Sequence, residues 1–144
     1  WLDLVRMGGE NGWYAYPTLW KLRGLLDRLV GGVGMRRRRR DPNELRVGDV
    51  LDFWRVVQVE PGRRLTLLAE MKLPGRAVLE FQVAALDEQR SRLTTEARFH
   101  PAGTLGLLYW YSLAPVHPPI FRRMTRMLVE RAEGAARAGE TAAS

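Results

Sequence analysis

The sequence predicts a single α+β domain in which an antiparallel β-sheet packs against a long C-terminal helix. Four segments between residues 50 and 99 alternate apolar and polar residues and are joined by short turns. Segments before and after them repeat apolar residues every three or four positions. A sheet with one apolar face needs a cover, which these helices supply. The length of 144 residues suits one domain, and 46% hydrophobic and 27% charged residues are typical of a globular chain.

The first third of the chain is predicted to contain a helix end, a glycine-rich loop and one complete amphipathic helix. Residues 1–7 read as the end of a helix, so we expect the sequence to be a piece of a longer protein. The complete helix spans residues 18–30, with Thr18 as its N-cap and Gly31 as its stop. Its predicted core face comprises Leu19, Leu22, Leu25, Leu26, Leu29 and Val30.

The four predicted strands cover residues 50–59, 65–72, 77–83 and 93–99 and form an antiparallel meander. Turns are expected at residues 61–62, 74–75 and 87–91. In the first strand, one face is predicted to hold Leu51, Phe53, Arg55, Val57 and Val59, and the opposite face to hold Val50, Asp52, Trp54 and Val56.

The C-terminal cover is predicted as a helix that begins with Leu105 to Ser112. This helix is expected to be broken or kinked at Pro115 and again at Pro118 and to continue from Ile120 to Glu130. Residues 134–144 are expected to be a flexible tail, so the domain spans residues 1–133. The longest apolar stretch is too short to span a bilayer, which takes about 20 residues.

Several kinds of chemistry are excluded or disfavoured. The absence of cysteine excludes disulfides, thiolate metal sites and cysteine nucleophiles, and it fits a cytoplasmic protein. Neither His100 nor His117 has carboxylates at metal-ligand spacing, so we expect both to be loop residues and predict no metal site. No nucleophile elbow is present, and no catalytic residue can be assigned. The glycines at 31–34 follow a helix and lead into arginines, which is not a dinucleotide-binding pattern.

Most of the net charge of +7 comes from one short segment of the chain. Without one run of five arginines it falls to +2. The run is interpreted as a solvated sheet edge that resists edge-to-edge pairing, and a polyanion or anionic membrane surface is the alternative partner. Nucleic acid is disfavoured because no aromatic residue is interleaved with the charge. The run consists of Arg36, Arg37, Arg38, Arg39 and Arg40.

Two polar residues, Arg55 and Thr95, occur where the alternation predicts apolar ones. A buried guanidinium needs a partner. The first interpretation is that a bulge turns Arg55 outward or that it pairs with Glu70 or Glu80. The second is that it orients a polar group of a ligand. The candidate ligand-binding residues are Arg55, Phe53, Met71, Phe81, Thr95, Tyr109 and Met124. Trp54 and Trp110 are candidates for an interface with another domain, although core packing explains them as well.

Six motifs carry a resemblance to a known family: GGENGWY at 8–14, LRGLLD at 22–27, GGVG at 31–34, GDVLDFWRV at 48–56, AEMKLPGRA at 69–77 and LYWY at 108–111. The chain resembles a bacterial domain of unknown function of the START-like (polyketide cyclase, SRPBCC) superfamily. That domain typically follows an NAD(P)-binding Rossmann domain of the atypical short-chain dehydrogenase/reductase type. The resemblance implies a helix-grip fold whose first strand is absent from this chain.

From these observations we expect an accessory domain that binds a small hydrophobic ligand between its sheet and its C-terminal helix. The resemblance implies that NAD(P) belongs to the preceding Rossmann domain and that this domain itself holds no cofactor. The longer protein would then be an NAD(P)-dependent oxidoreductase or epimerase-like protein. The alternatives are a purely structural module on the Rossmann domain, or binding of polyanions or membrane surfaces through residues 36–40.

Overall fold

The computed structural model describes residues 1–8, 25, 28, 29, 31, 40, 41, 43–88 and 90–142, with side chains as far as residue 138. Their helices and strands, in chain order, are α1 (Leu2–Val5), β1 (Val50–Leu51), β2 (Trp54–Glu60), β3 (Arg64–Ala69), β4 (Gly75–Ala85), β5 (Ser91–Pro101), α2 (Gly103–Leu113) and α3 (His117–Ala142). The α+β class is confirmed.

The strands form one antiparallel sheet in chain order, β1-β2-β3-β4-β5, which confirms the predicted meander. The alternation of β3 and β4 places their apolar residues opposite one another, with Leu65 paired to Phe81 and Leu67 to Leu79. All four side chains are buried. The period-two pattern therefore identified the inner face of the sheet correctly.

The predicted first strand is instead a tight hairpin. Leu51 in β1 pairs with Trp54 in β2, so the chain reverses at Asp52 and Phe53. Asp52 has a φ of 57°, a left-handed conformation that aspartate tolerates better than most residues. The prediction of one continuous strand over residues 50–59 was wrong because alternation alone does not reveal so short a turn.

A β-bulge in β2 also changes which residues face the core. The pairing with β3 shifts between Val56 and Gln58, so Val57 is an extra residue. Val56 is fully buried and Val57 is 40% exposed, the reverse of the predicted arrangement. Trp54 is likewise buried.

The two C-terminal helices are separated by one turn at residues 114–116. Pro118 and Pro119 lie in the first turn of α3, where a proline removes no helical hydrogen bond, so the predicted second break is absent. The α3 helix continues through Gly134 to Ala142, over most of the segment for which a tail was predicted. The flexibility of that segment stays a prediction.

The core lies between the inner face of the sheet and α3, and α1 closes one end of it. Met124 and Leu128 of α3 are buried with the sheet residues, and so are Leu4, Val5 and Met7 from the N-terminal segment. The contact between α1 and α3 brings the beginning of the chain against its last helix. The helix predicted from residues 1–7 is confirmed as α1.

Most of the predicted helix over 18–30, its N-cap and the arginines at 36–39 lie outside the described residues. Gly31 is described, with a φ of 75° and an N–H that donates to the Arg28 carbonyl at 2.9 Å, as a helix stop requires. Leu25 and Leu29 are helical but 57% and 74% exposed, so the prediction that they face the core was wrong. Within the ranges that the structure describes, no helix is long and apolar enough to cross a membrane.

Candidate ligand-binding cavity

An apolar cavity of about 410 Å³ lies between strands β4 and β5 of the sheet and the helices α2 and α3. The strand residues that border it include the small side chains Ala77 and Val78 of β4 and Ala97 of β5. The α2 helix contributes Tyr109, Trp110 and Leu113, and the start of α3 contributes His117, Pro118, Ile120 and Phe121. The connection between β3 and β4 adds Met71 and Leu73. The cavity thus follows from docking two bulky helices over small strand residues.

A row of aromatic rings forms one wall of this cavity. The ring centroids are 5.6 Å apart for Tyr109 and Phe99, 5.5 Å for Phe99 and Trp110, 5.9 Å for Trp110 and His117, and 5.7 Å for His117 and Phe121. The last three pairs are stacked, with interplanar angles of 16°, 28° and 14°. Each ring restricts the next, so the wall is preformed and offers flat apolar surface.

His117 is the polar group of this wall whose orientation is best defined. Its Nδ1 lies 2.8 Å from the carbonyl oxygen of Leu113. Because a carbonyl only accepts hydrogen bonds, Nδ1 carries a proton, and in the neutral ring Nε2 is then an acceptor. The Leu113 carbonyl also accepts from the Val116 backbone N–H at 2.9 Å, so both contacts hold the turn between α2 and α3.

The Arg98 side chain also borders the cavity, but its guanidinium is held by carboxylates. Nε donates to Glu96 at 2.7 Å, and Nη2 lies 3.4 Å from Glu80. The hydrogen bond between Arg98 and Glu96 raises the pKa of Arg98 and lowers that of Glu96. The Arg98 guanidinium is therefore already engaged within the protein.

An open groove of about 640 Å³ adjoins the cavity, and both are bordered by Pro118 and Phe121. The other groove residues are Arg92, Leu93, Thr94 and Thr95 from β5, and Arg122, Thr125 and Arg126 from α3. The Thr125 hydroxyl lies 2.7 Å from Thr95 Oγ1 and 2.9 Å from the Phe121 carbonyl. Since a hydroxyl has one proton, Thr125 donates to the carbonyl and accepts from Thr95, which ties α3 to β5.

The residues predicted to bind a ligand fall into three groups. Met71 and Tyr109 border the cavity, and Thr95 borders the groove. Phe53, Phe81 and Met124 are fully buried in the core and border neither space. Arg55 donates to Glu70 at 2.6 Å and to the Gly48 carbonyl at 3.0 Å, which is the first of the two interpretations proposed for it.

The two tryptophans predicted as interface candidates do not form an exposed patch. Trp54 is 4% exposed, packs against Phe53 and borders the cavity. Trp110 is half-buried in the aromatic row. Core packing, which the sequence analysis also considered, accounts for both contacts.

The cavity and groove also contain residues that the sequence analysis did not select: Ala97, His117, Phe121, Arg92, Arg122 and Arg126. One signal was available, because Arg122 and Arg126 are four residues apart and therefore share a helix face. No pattern along the chain indicated that Arg92, on a strand, lies beside them.

Of the predicted polyanion candidates, the described residues include only Arg40. Its guanidinium lies 3.1 and 3.2 Å from the two carboxylate oxygens of Asp49 and 3.7 Å from Glu44. This arginine is engaged by carboxylates. In the part of the chain that the structure describes, no three His, Asp or Glu residues are grouped as metal ligands.

Comparison with known protein families gives a match over most of the chain. The family model "Protein of unknown function (DUF2867)" matches residues 1–124. No curated protein matches the chain, and no solved structure does.

Proposed function

The chain belongs to DUF2867, a family of proteins of unknown function, and from the geometry of its cavity we propose that it binds a small hydrophobic ligand between its sheet and its C-terminal helices. The observation that carries the proposal is the apolar space of about 410 Å³. This volume lies within the range of about 300–1,000 Å³ that is usual for small-molecule sites. A cavity of this kind binds by enclosure, because an apolar ligand leaves water when it enters.

The aromatic row supports a flat or partly flat ligand. Stacked rings present rigid surface, so little side-chain freedom is lost when a second flat group packs against them. The Nε2 acceptor of His117 orients a ligand that carries a hydroxyl or N–H group. We propose no reaction at this site, since an acceptor and a paired arginine bind and orient a ligand without forming a nucleophile.

The test of this function uses N-phenyl-1-naphthylamine, a neutral apolar fluorophore. We expect the wild-type protein to bind it with enhanced fluorescence and Ala97→Phe, which places a ring in the cavity, to weaken binding at least tenfold. Ala85→Phe is the matched control, because Ala85 is exposed at the other end of β4. Equal binding by both variants and the wild type would contradict the proposal. Mass spectrometry of an organic extract of the purified protein identifies any hydrophobe that co-purifies.

A second candidate function is supported by the outer surface of α2. Leu105, Leu108 and Tyr111 are 75%, 68% and 71% exposed and lie three residues apart on one face of the helix. Apolar surface of this kind is typical of interfaces. We propose that it packs against the NAD(P)-binding Rossmann domain that the START-like resemblance implies, which would make this chain the accessory domain of a cytoplasmic oxidoreductase-like protein.

This second proposal is tested in a polypeptide in which an NAD(P)-binding Rossmann domain precedes this chain. Leu105→Glu with Leu108→Glu is expected to speed proteolytic cleavage between the domains. Leu86→Glu serves as the control, because Leu86 is 54% exposed in the β4–β5 turn and lies outside this surface. An unchanged rate of cleavage in the double variant would contradict the proposal that α2 packs against a second domain. Polyanion binding through Arg36–Arg39 stays a prediction for residues outside the described ranges.

A further inference from the structure

The groove beside the cavity contains three arginines whose charge is not balanced within the protein. Arg92, Arg122 and Arg126 are exposed and border the groove together. They make no ion pair or hydrogen bond in the described structure, and none of the residues bordering the groove is a carboxylate. Positive charge thus converges there without a counter-ion from the described chain.

Seven other arginines in the described ranges are each paired with a carboxylate. A carboxylate oxygen lies within 4.0 Å of the guanidinium of Arg40, Arg46, Arg55, Arg64, Arg90, Arg98 and Arg137. Pairing is therefore common wherever an acidic residue is within reach. Arg122 and Arg126 instead repel each other, because like charges four residues apart on a helix are close neighbours. A bound anion would relieve that repulsion.

The basic groove and the apolar cavity lie next to each other along β5. Thr95 borders the groove and Ala97 borders the cavity, and the two residues are on the same face of the strand. A strand rises about 3.3 Å per residue, so these positions are about 7 Å apart. Pro118 and Phe121 of α3 border both spaces. One molecule of modest size can therefore reach from the aromatic row to the arginines.

We propose that the ligand of this protein is an anionic amphiphile whose apolar body fills the cavity and whose phosphate or carboxylate is bound by Arg92, Arg122 and Arg126. This inference rests on the proposed hydrophobic-ligand function and names the chemical class of the ligand. Arginine suits this role because its planar guanidinium donates two parallel hydrogen bonds to a carboxylate or a phosphate.

The experiment compares three probes by titration calorimetry, all below their aggregation concentrations. Decyl phosphate has both parts of the proposed ligand, 1-decanol has the apolar part, and inorganic phosphate has the anionic part. We expect the wild-type protein to bind decyl phosphate at least about tenfold more tightly than 1-decanol, as charge-assisted hydrogen bonds allow. Inorganic phosphate is expected to bind most weakly and to compete with decyl phosphate but not with 1-decanol.

The variant Arg122→Gln with Arg126→Gln is expected to reduce the affinity for decyl phosphate to that for 1-decanol and to leave 1-decanol binding unchanged. Arg63→Gln with Arg76→Gln is the matched control, because these exposed arginines lie outside the groove and removing them changes the net charge equally. All substituted side chains are on the surface, so both variants should fold.

The possible outcomes separate this inference from the function on which it rests. Equal binding of 1-decanol and decyl phosphate would overturn the anionic class while the hydrophobic-ligand function stands. An equal loss in the control pair would show a general charge effect and would also overturn it. If inorganic phosphate binds as tightly as decyl phosphate, the groove binds free anions and the amphiphile is excluded. If neither decyl compound binds, the hydrophobic-ligand function itself fails.

Discussion

A single carboxylate organises the loop that leads into the sheet. Asp49 accepts hydrogen bonds from the Arg40 guanidinium at 3.1 and 3.2 Å and from the Arg46 backbone N–H at 2.9 Å. Desolvation raises the pKa of Asp49, but the hydrogen bonds from Arg40 and Arg46 outweigh it, so the pKa is lowered. The folded state therefore favours the ionised carboxylate.

Replacing Asp49 by asparagine is expected to lower the free energy of unfolding at pH 7 by less than about 1 kcal/mol, because the ion pair that is lost is partly screened by solvent at Arg40. A lowered folded-state pKa stabilises the fold above the unfolded value of about 3.9, and this stabilisation is lost as the pH falls through the folded pKa. Urea unfolding between pH 2 and 7 should therefore show wild type and Asp49→Asn converging in acid. A difference that is constant with pH would contradict this account. Glu88→Gln, at an exposed turn residue, is the control.

The sequence predicted the need for a partner at Arg55 but left two candidates. The alternation placed Arg55 among apolar residues, and a buried guanidinium needs a counter-charge. The choice between Glu70 and Glu80 depends on the register of neighbouring strands and on competing arginines. In the structure Glu80 lies within reach of Arg64 and Arg98, and Glu70 is left for Arg55.

At the scale of elements, regular strands were predictable and irregular ones were not. The alternation of β3 and β4 continues without interruption, and their buried residues were identified. The turn at Asp52 and the bulge at Val57 each change the alternation, and neither leaves a glycine or proline as a marker. Helix α2 posed a related problem. Tyr109, Trp110 and Tyr111 are adjacent, and a helix without charged residues has no strongly polar face to orient it.

Gly106 of α2 is buried and lies against the backbone of Pro74 and Pro101. A Cβ atom there would overlap the Pro74 carbonyl oxygen and press on the backbone of Pro101. We expect Gly106→Ala to destabilise the protein by about 1–3 kcal/mol, since backbone atoms cannot yield as a flexible side chain does. Thermal unfolding followed by circular dichroism would measure the change.

Gly134→Ala in α3 is the matched comparison, because a Cβ atom there meets no other atom within 4 Å. Alanine loses less backbone entropy than glycine when a helix forms, so this change should stabilise the protein by about 0.5–1 kcal/mol. If Gly106→Ala lowers the stability and Gly134→Ala raises it, the difference would show that α2 packs at contact distance. If Gly106→Ala were also stabilising, the packing described here would be wrong.

On the scale of the whole molecule, the cavity joins residues that are distant in sequence. Met71, Ala97 and His117 border one space, yet each lies on a different element. The sequence predicted that a cavity would form between the sheet and the C-terminal helix, because an apolar sheet face needs a cover. It did not identify the bordering residues, since that requires the angle at which α2 and α3 dock.

The meander and the contact between the chain's ends have a consequence for folding kinetics. Each strand pairs with its neighbour in sequence, so the sheet can form through short loop closures, whereas α1 meets α3 only after almost the entire chain has been ordered. Met7→Ala should therefore accelerate unfolding and leave the refolding rate nearly unchanged, and Leu67→Ala in the central strand should slow refolding. Stopped-flow fluorescence would distinguish these effects. If Met7→Ala refolds more slowly than the wild type, the contact between α1 and α3 forms before the rate-limiting step rather than after it.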